Sequence, residues 1–103
     1  MSYYKITVTF RAASGAGEED FVQYEDTVCR GLAVCLKTAN SMFNRMLQEN
    51  PLDEFTDVLI EKAKFVDNVL VIDKEVFYAY REYGKYKIIH MDDSVKRCIK
   101  SKK

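Results

Sequence analysis

The residues best suited to chemistry in this sequence are three thiols and one imidazole: Cys29, Cys35, Cys98 and His90. Such groups bind zinc, but structural zinc sites usually contain two cysteines separated by roughly two to four residues, and no pair in this chain has that spacing. Free cysteine is also among the most frequently buried residue types. We therefore predict structural thiols in the core, no metal site and no cofactor.

A nucleophilic pair of Cys98 and His90 is the second chemical arrangement that these residues suggest. Lys96 and Arg97 precede Cys98 and would favour its thiolate, while Asp92 lies close to His90 in the sequence. The combination is unspecific. A small Cys/His-dependent enzyme is therefore the last of our three functional hypotheses, and we expect no catalytic residue and no enzymatic activity.

A glycine-rich loop at residues 14–17 follows the first predicted strand, as phosphate-binding loops do. A phosphate site requires the N-terminus of a helix directly after the loop, and usually a lysine. Glu18, Glu19 and Asp20 follow instead, and their charges would repel a phosphate. We predict a hairpin loop that binds no ligand.

Tyrosines alternate with basic residues near the end of the chain, and we call this set the tyrosine–basic strip: Tyr78, Tyr80, Arg81, Tyr83, Lys85, Tyr86 and Lys87. Such mixtures recur at protein interfaces and on surfaces that bind single-stranded nucleic acid. We predict that the strip binds a partner. The alternative is that the tyrosines pack on the sheet with their hydroxyls at the rim.

The balance of charge limits the classes of partner. The 103 residues include 16 Lys or Arg and 16 Asp or Glu, so the net charge is zero and gives no general attraction to nucleic acid or to an anionic membrane. No apolar run is long enough to span a bilayer. An odd number of cysteines after a strand-like N-terminus is typical of a reduced protein. We expect a single domain in the cytoplasm, with no membrane partner.

The longest periodic segment, residues 27–49, predicts one amphipathic helix. Its apolar residues recur at three- and four-residue steps: Val28, Leu32, Cys35, Leu36, Ala39, Met42, Phe43, Met46 and Leu47. Asp26 or Thr27 would cap this helix, Gly31 would lie inside it, and Pro51 would end it. We expect the helix to lie across a sheet.

Alternation of apolar and polar residues predicts the strands of that sheet. The predicted elements are strands at 4–11 and 21–25, a helical turn at 51–56, a strand that ends near 66, a turn at Asp67 and Asn68, and a strand at 69–73.

Residues 74–83 fit two structures. As a strand they would turn at Tyr83 and Gly84 into a last strand at 86–91. As a helix capped by Asp73 they would give a ferredoxin-like βαββαβ order. Closely spaced aromatic residues fit a pleated face better. We therefore predict an α+β fold with an antiparallel sheet of four or five strands, the long central helix and a short C-terminal helix that begins near Asp92.

These observations favour a small non-enzymatic binding or regulatory protein that acts through protein contacts. A homodimer through a sheet edge or the helix is a second form of partner, and Val34 on the polar side of the helix would lie in that contact. The alternative is a nucleic-acid-binding accessory protein that uses the tyrosine–basic strip and the basic C-terminal tail. Salt would weaken such a complex steeply.

Overall fold

The computed structural model describes residues 2–12, 21–50 and 54–100. The elements in chain order are β1 (Tyr3–Ala12), β2 (Phe21–Arg30), α1 (Leu32–Glu49), β3 (Phe55–Val66), β4 (Val69–Glu82), β5 (Lys85–Met91) and α2 (Asp93–Lys100). Within these residues, five strands form one antiparallel sheet in the order β2–β1–β3–β4–β5. The predicted α+β class is confirmed, with its antiparallel sheet, one long helix and a short C-terminal helix.

One face of the sheet is covered by helices and carries the core. In β1, Ile6 and Val8 are fully buried, and the register pairs them with Ile60 and Val58 of β3. Residues directly opposite each other in a sheet share a face, so these four side chains form one apolar layer beneath α1. The other face, which we call the open face, carries the alternate residues of each strand.

α1 presents one apolar stripe to this layer. Its buried residues are Cys35, Ala39, Met42 and Met46, at steps of four, three and four. That spacing keeps them on one side of a helix, and 18 residues make a rod of roughly 27 Å. At its C-terminal end, the side-chain amide of Asn50 donates to the Met46 carbonyl oxygen at 3.0 Å, which satisfies one of the last free carbonyls.

The predicted start of the long helix at residue 27 is wrong, because α1 begins at Leu32. Thr27 belongs to β2, where it lies opposite Ile6, and Cys29 is therefore a strand residue rather than a helix residue. Gly31 separates the two elements with a φ of 88°, a conformation that L side chains rarely adopt. The glycine that seemed a defect inside a helix is the residue that allows the chain to turn from strand into helix.

Two further predictions fail in part. Phe55 and Thr56 begin β3, so they do not belong to a helical turn; residues 51–53 lie outside the described part of the chain, as does the loop at 14–17. The ferredoxin-like alternative is also wrong, because residues 74–82 continue one strand from Val69. Alternate side chains of β4 lie on the two faces of the sheet, and a helix at the same place could not position them in this way.

Both β-hairpins on the far side of the sheet use two-residue turns. Asp67 and Asn68 have φ values of 51° and 68°, and Tyr83 and Gly84 have φ values of 48° and 80°. Positive φ at both central residues is typical of the type I′ turn, whose twist matches the flanking strands. Asp, Asn and Gly tolerate this conformation, whereas a tyrosine in it is strained.

Candidate functional site

An apolar groove of about 260 Å³ lies on the covered face between α1, β5 and α2. Phe43 of α1 forms one wall and Val95 of α2 the other, with Tyr86 and Ile88 of β5 on the floor. The volume is slightly below the roughly 300 Å³ of small-molecule pockets. It suits a few apolar side chains of a partner.

Several groove residues remain half exposed. The exposed fractions of Tyr86, Ile88 and Ile99 are 52%, 45% and 46%. Scattered single apolar residues on a surface need no explanation, but a contiguous concave group next to a sheet edge is typical of an interaction site. Burial also raises the pKa of the Tyr86 phenol, so this hydroxyl stays neutral and available as a hydrogen-bond donor.

The segment that supplies two sides of this groove is rich in basic residues. The segment 85–100 forms its β5 and α2 sides and contains five Lys or Arg residues against two Asp residues. Asp92 is already contacted by Lys74 at 3.5 Å and Asp93 by Lys96 at 3.9 Å. Two sides of the groove therefore come from a segment with a net positive charge, although the whole chain has none. Lys85 and Lys87 alternate with Tyr86 and Ile88, so their side chains lie on the open face rather than on the groove side.

The tyrosine–basic strip is divided between the two faces of the sheet. Register places Tyr78 and Tyr80 on the open face, opposite Leu59 and Asp57 of β3. The Tyr78 hydroxyl donates to the Asp57 carboxylate at 2.9 Å, and the Tyr80 ring stacks on Phe55 with ring centroids 5.6 Å apart. These two tyrosines pack on the sheet, as the alternative interpretation described.

The remaining members of the strip lie near the groove or at the β5 edge. Arg81 and Tyr86 are opposite each other on the covered face, and the Tyr86 ring meets Phe43 edge to face at 5.9 Å. Tyr83 is at the hairpin tip with 74% of its surface exposed. Lys85 and Lys87 are exposed in β5. The predicted binding role of these residues stays a prediction.

Neighbouring side chains contact each other in pairs on the open face. His90 Nδ1 lies 2.8 Å from a carboxylate oxygen of Glu75, and Lys5 lies 3.9 Å from Asp26. Burial raises the pKa of the Asp57 carboxyl, although the hydrogen bond from Tyr78 acts in the opposite direction. Burial and the same hydrogen bond raise the pKa of Tyr78 to about 12. These polar side chains of the open face therefore have partners within the sheet.

The sheet separates the two residues of the hypothetical Cys–His pair. His90 is opposite Tyr78 on the open face, whereas Cys98 belongs to α2, whose Val95 and Ile99 line the groove on the covered face. Cys35 is fully buried, and burial, with a smaller effect of Cys29, raises its pKa to about 12. A thiol with such a pKa is a poor nucleophile.

Two general features complete the description of the site. Across residues 2–12, 21–50 and 54–100, no group of three or more His, Cys, Asp or Glu side chains is arranged to hold a metal ion. Neither helix in these ranges combines the length and the apolar character needed to cross a membrane.

Sequence reasoning missed the groove because its walls come from distant parts of the chain. Phe43 was assigned to the apolar stripe of the helix and Ile99 to one side of the last helix, but neither pattern indicates that α1 and α2 leave a gap. The sequence signal that could have indicated the groove was the adjacent apolar pair Ile88 and Ile89, which follows two lysines in a strand.

Comparison with known protein families, with curated proteins and with solved structures finds no significant match to this chain.

Proposed function

We propose that this protein is a small non-enzymatic binding protein, and that the groove between α1, β5 and α2 receives a segment of another protein. The observation that carries the proposal is the half-exposed apolar surface of Tyr86, Ile88 and Ile99 within one concave site. Interfaces of this kind bury apolar anchors at the centre and keep charges at the rim.

The proposed partner segment is acidic and carries apolar side chains. Arg97 and Lys100 belong to the helix that forms one wall and would supply the basic rim there, whereas the side chains of Lys85 and Lys87 lie on the open face of β5. A negatively charged segment gains association rate and orientation from such a rim, whereas a basic one is repelled. The apolar side chains of the segment would supply most of the affinity.

Tyr83 supports the same site. A tyrosine with a φ of 48° at a hairpin tip is less favourable than the asparagine that this turn prefers. Its side chain is 74% exposed, so packing does not compensate for the strain. Residues that break a local rule without a structural gain are frequently functional. We propose that Tyr83 contacts the partner at the open end of the hairpin.

A nucleic-acid partner has less support. Tyr78 and Tyr80, which would stack on bases, already contact Asp57 and Phe55. A carboxylate beside these rings would repel a phosphate backbone. A cytoplasmic location belongs to the proposal as well, because Cys29, Cys35 and Cys98 are free thiols.

The proposal is tested with two short peptides of opposite charge, one in which glutamate and leucine alternate and one in which lysine and leucine alternate. Titration followed by nuclear magnetic resonance is expected to shift signals of Ile88 and Ile99 with the acidic peptide only. Replacing Ile88→Glu is expected to weaken binding about tenfold or more. Ile72→Glu is the matched control, because Ile72 is 40% exposed but lies on the distant β3–β4 hairpin.

A single-stranded oligonucleotide serves as the third probe. If it alone shifted these signals, and did so with a steep loss of affinity as salt rises, the nucleic-acid hypothesis would replace this one. Equal binding of both peptides, or loss of binding in Ile72→Glu as large as in Ile88→Glu, would contradict a charge-selective groove.

A further inference from the structure

The outer edge of β2 is long and regular, and its backbone groups are open to pairing with another strand. Its ten residues pair with β1 without any register shift, so the backbone groups on its other side form a continuous row. β2 is the terminal strand of the sheet, and no described strand pairs with that row. It contains neither proline nor lysine, which natural sheets often place on edge strands, although it carries the charged residues Glu25, Asp26 and Arg30.

Exposed apolar side chains follow the same edge. Val22, Tyr24 and Val28 alternate along the open face of β2, and 68% of the Tyr24 surface is exposed. Val34 of α1 lies on the same helix flank as Arg45, because the two are eleven residues apart, and Arg45 forms an ion pair with Glu25 of β2. Val34 is also exposed and therefore faces this edge of the sheet.

β5, the opposite edge, differs in each of these respects. Register pairs Tyr78 with His90 and Ala79 with Ile88, so Ile89 is an extra residue that forms a bulge. Lys85 and Lys87 precede it. Two copies of β5 would bring lysines together, and only the four residues before the bulge are regular. Self-association through β5 is therefore disfavoured.

Charge and ladder length together select a self-complementary register for β2. If Thr27 lies on a two-fold axis opposite Thr27 of a second copy, Tyr24 is opposite Arg30, and Asp26 is opposite Val28. Asp26 is then diagonal to Arg30 of the second copy, an attraction that occurs twice by symmetry, and to Asp26 of the second copy, a repulsion that occurs once. A shift by two residues in one direction brings Asp26 directly opposite Asp26. A shift in the other direction places Asp26 directly opposite Arg30 but shortens the ladder from residues 24–30 to residues 26–30.

We infer that the protein forms a two-fold symmetric dimer in which residues 24–30 of β2 pair antiparallel with the same residues of a second copy, giving a continuous ten-stranded sheet. Asp26 already contacts Lys5 at 3.9 Å, but a carboxylate accepts several hydrogen bonds and can receive Arg30 of the second copy as well. A single strand pair is a small interface, so we expect reversible association in the micromolar range. This inference does not depend on the proposed groove function.

Sedimentation velocity over a concentration series tests the dimer. The native protein is expected to change from monomer to dimer as its concentration rises. Asp26→Arg and Arg30→Asp, each alone, place like charges across the axis and are expected to weaken the dimer about tenfold or more. An equal mixture of the two variants restores both ion pairs and is expected to form a heterodimer, which a general loss of folding would not produce.

Lys87→Glu is the matched control, since it reverses one charge on the other edge and is expected to leave the dimer unchanged. If Lys87→Glu abolished association and the native protein formed species larger than a dimer, head-to-tail pairing of β2 with β5 would replace the inference. A native protein that stays monomeric throughout the series, or a mixture that stays monomeric, would overturn it. Amide hydrogen exchange of residues 24–30 gives a second measurement, with protection expected to rise with concentration.

Discussion

The two ends of the sheet differ in how completely their covered face is filled. At the β2–β1–β3 end, α1 buries Ile6 and Val8 entirely, whereas at the β4–β5 end Ile88 and Ile99 remain nearly half exposed. A helix is roughly 10 Å wide and strands are roughly 4.8 Å apart, so one helix covers about three strands. Five strands need two helices of similar length, and α2 has 8 residues against 18 in α1.

The difference indicates which end of the sheet contributes most to the stability of this small fold. The first end supplies most of the packed core, and the second end is left with half-exposed apolar surface. The two edge strands also differ. β2, beside the filled end, pairs regularly, whereas β5, beside the groove, contains a bulge and two lysines. Each prediction below alters a residue of one end and compares it with a reference variant or with the native protein.

The largest effect is expected from truncating an isoleucine at the filled end. Ile6→Ala removes a fully buried side chain between α1 and the sheet, which typically costs about 2–5 kcal/mol of unfolding free energy because a cavity remains. Ile88→Ala removes the same atoms from the groove, where Ile88 is 45% exposed, and is expected to cost less than half as much. Urea denaturation of both variants measures the two losses. Equal losses would mean that the groove is part of the core.

Gly31 gives the next largest effect. A Cβ at this position meets no atom within 4 Å, but the φ of 88° is strained for any L side chain. Gly31→Ala is therefore expected to cost about 1–3 kcal/mol from backbone strain alone. Ala33→Gly, at the second residue of α1, is the reference for a helical position, where the loss is about 1 kcal/mol or less. A harmless Gly31→Ala would show that the connection between β2 and α1 relaxes freely.

Tyr83 gives an effect of the opposite sign at the groove end. Tyr83→Asn replaces a residue strained at a φ of 48° by one that tolerates this conformation, so the protein is expected to gain about 1 kcal/mol of stability. The same variant is expected to bind the acidic peptide less tightly. Thermal unfolding and peptide titration measure the two properties. A variant that gains stability and keeps full affinity would remove Tyr83 from the proposed site.

Local sequence patterns predicted most of the fold, and long-range packing accounts for most of what they missed. β1, the hairpin turns and α2 follow from alternation and turn residues that act over a few positions. The start of α1 was misplaced because Val28 fits a helical stripe and a strand equally well, and only pairing with Lys5 of β1 decides between them. The division of the tyrosine–basic strip follows from alternation along β4 and from the two-residue turn at Tyr83 and Gly84, which places Tyr86 opposite Arg81 rather than Tyr80.

The smallest effect is expected at Asp92, which begins α2 at the groove end. Its carboxylate accepts from the Ser94 hydroxyl at 2.6 Å and from the Ser94 backbone N–H at 3.1 Å, and these bonds lower the pKa of Asp92 from 3.8 to about 2. The folded state therefore favours the ionised form. The stability that this preference contributes is present above about pH 4 and is lost as the pH falls toward 2.

Asp92→Asn keeps an oxygen that accepts from Ser94 but removes the ionisation. At neutral pH the variant is expected to be nearly as stable as the native protein, and between about pH 4 and pH 2 it is expected to lose less stability than the native protein does. Urea midpoints across this range measure the difference. Asp93→Asn removes one charge from the same helical turn and is expected to keep the native pH dependence. If Asp92→Asn and the native protein had the same slope, the hydrogen bonds at Ser94 would not control the acid stability of this end of the sheet.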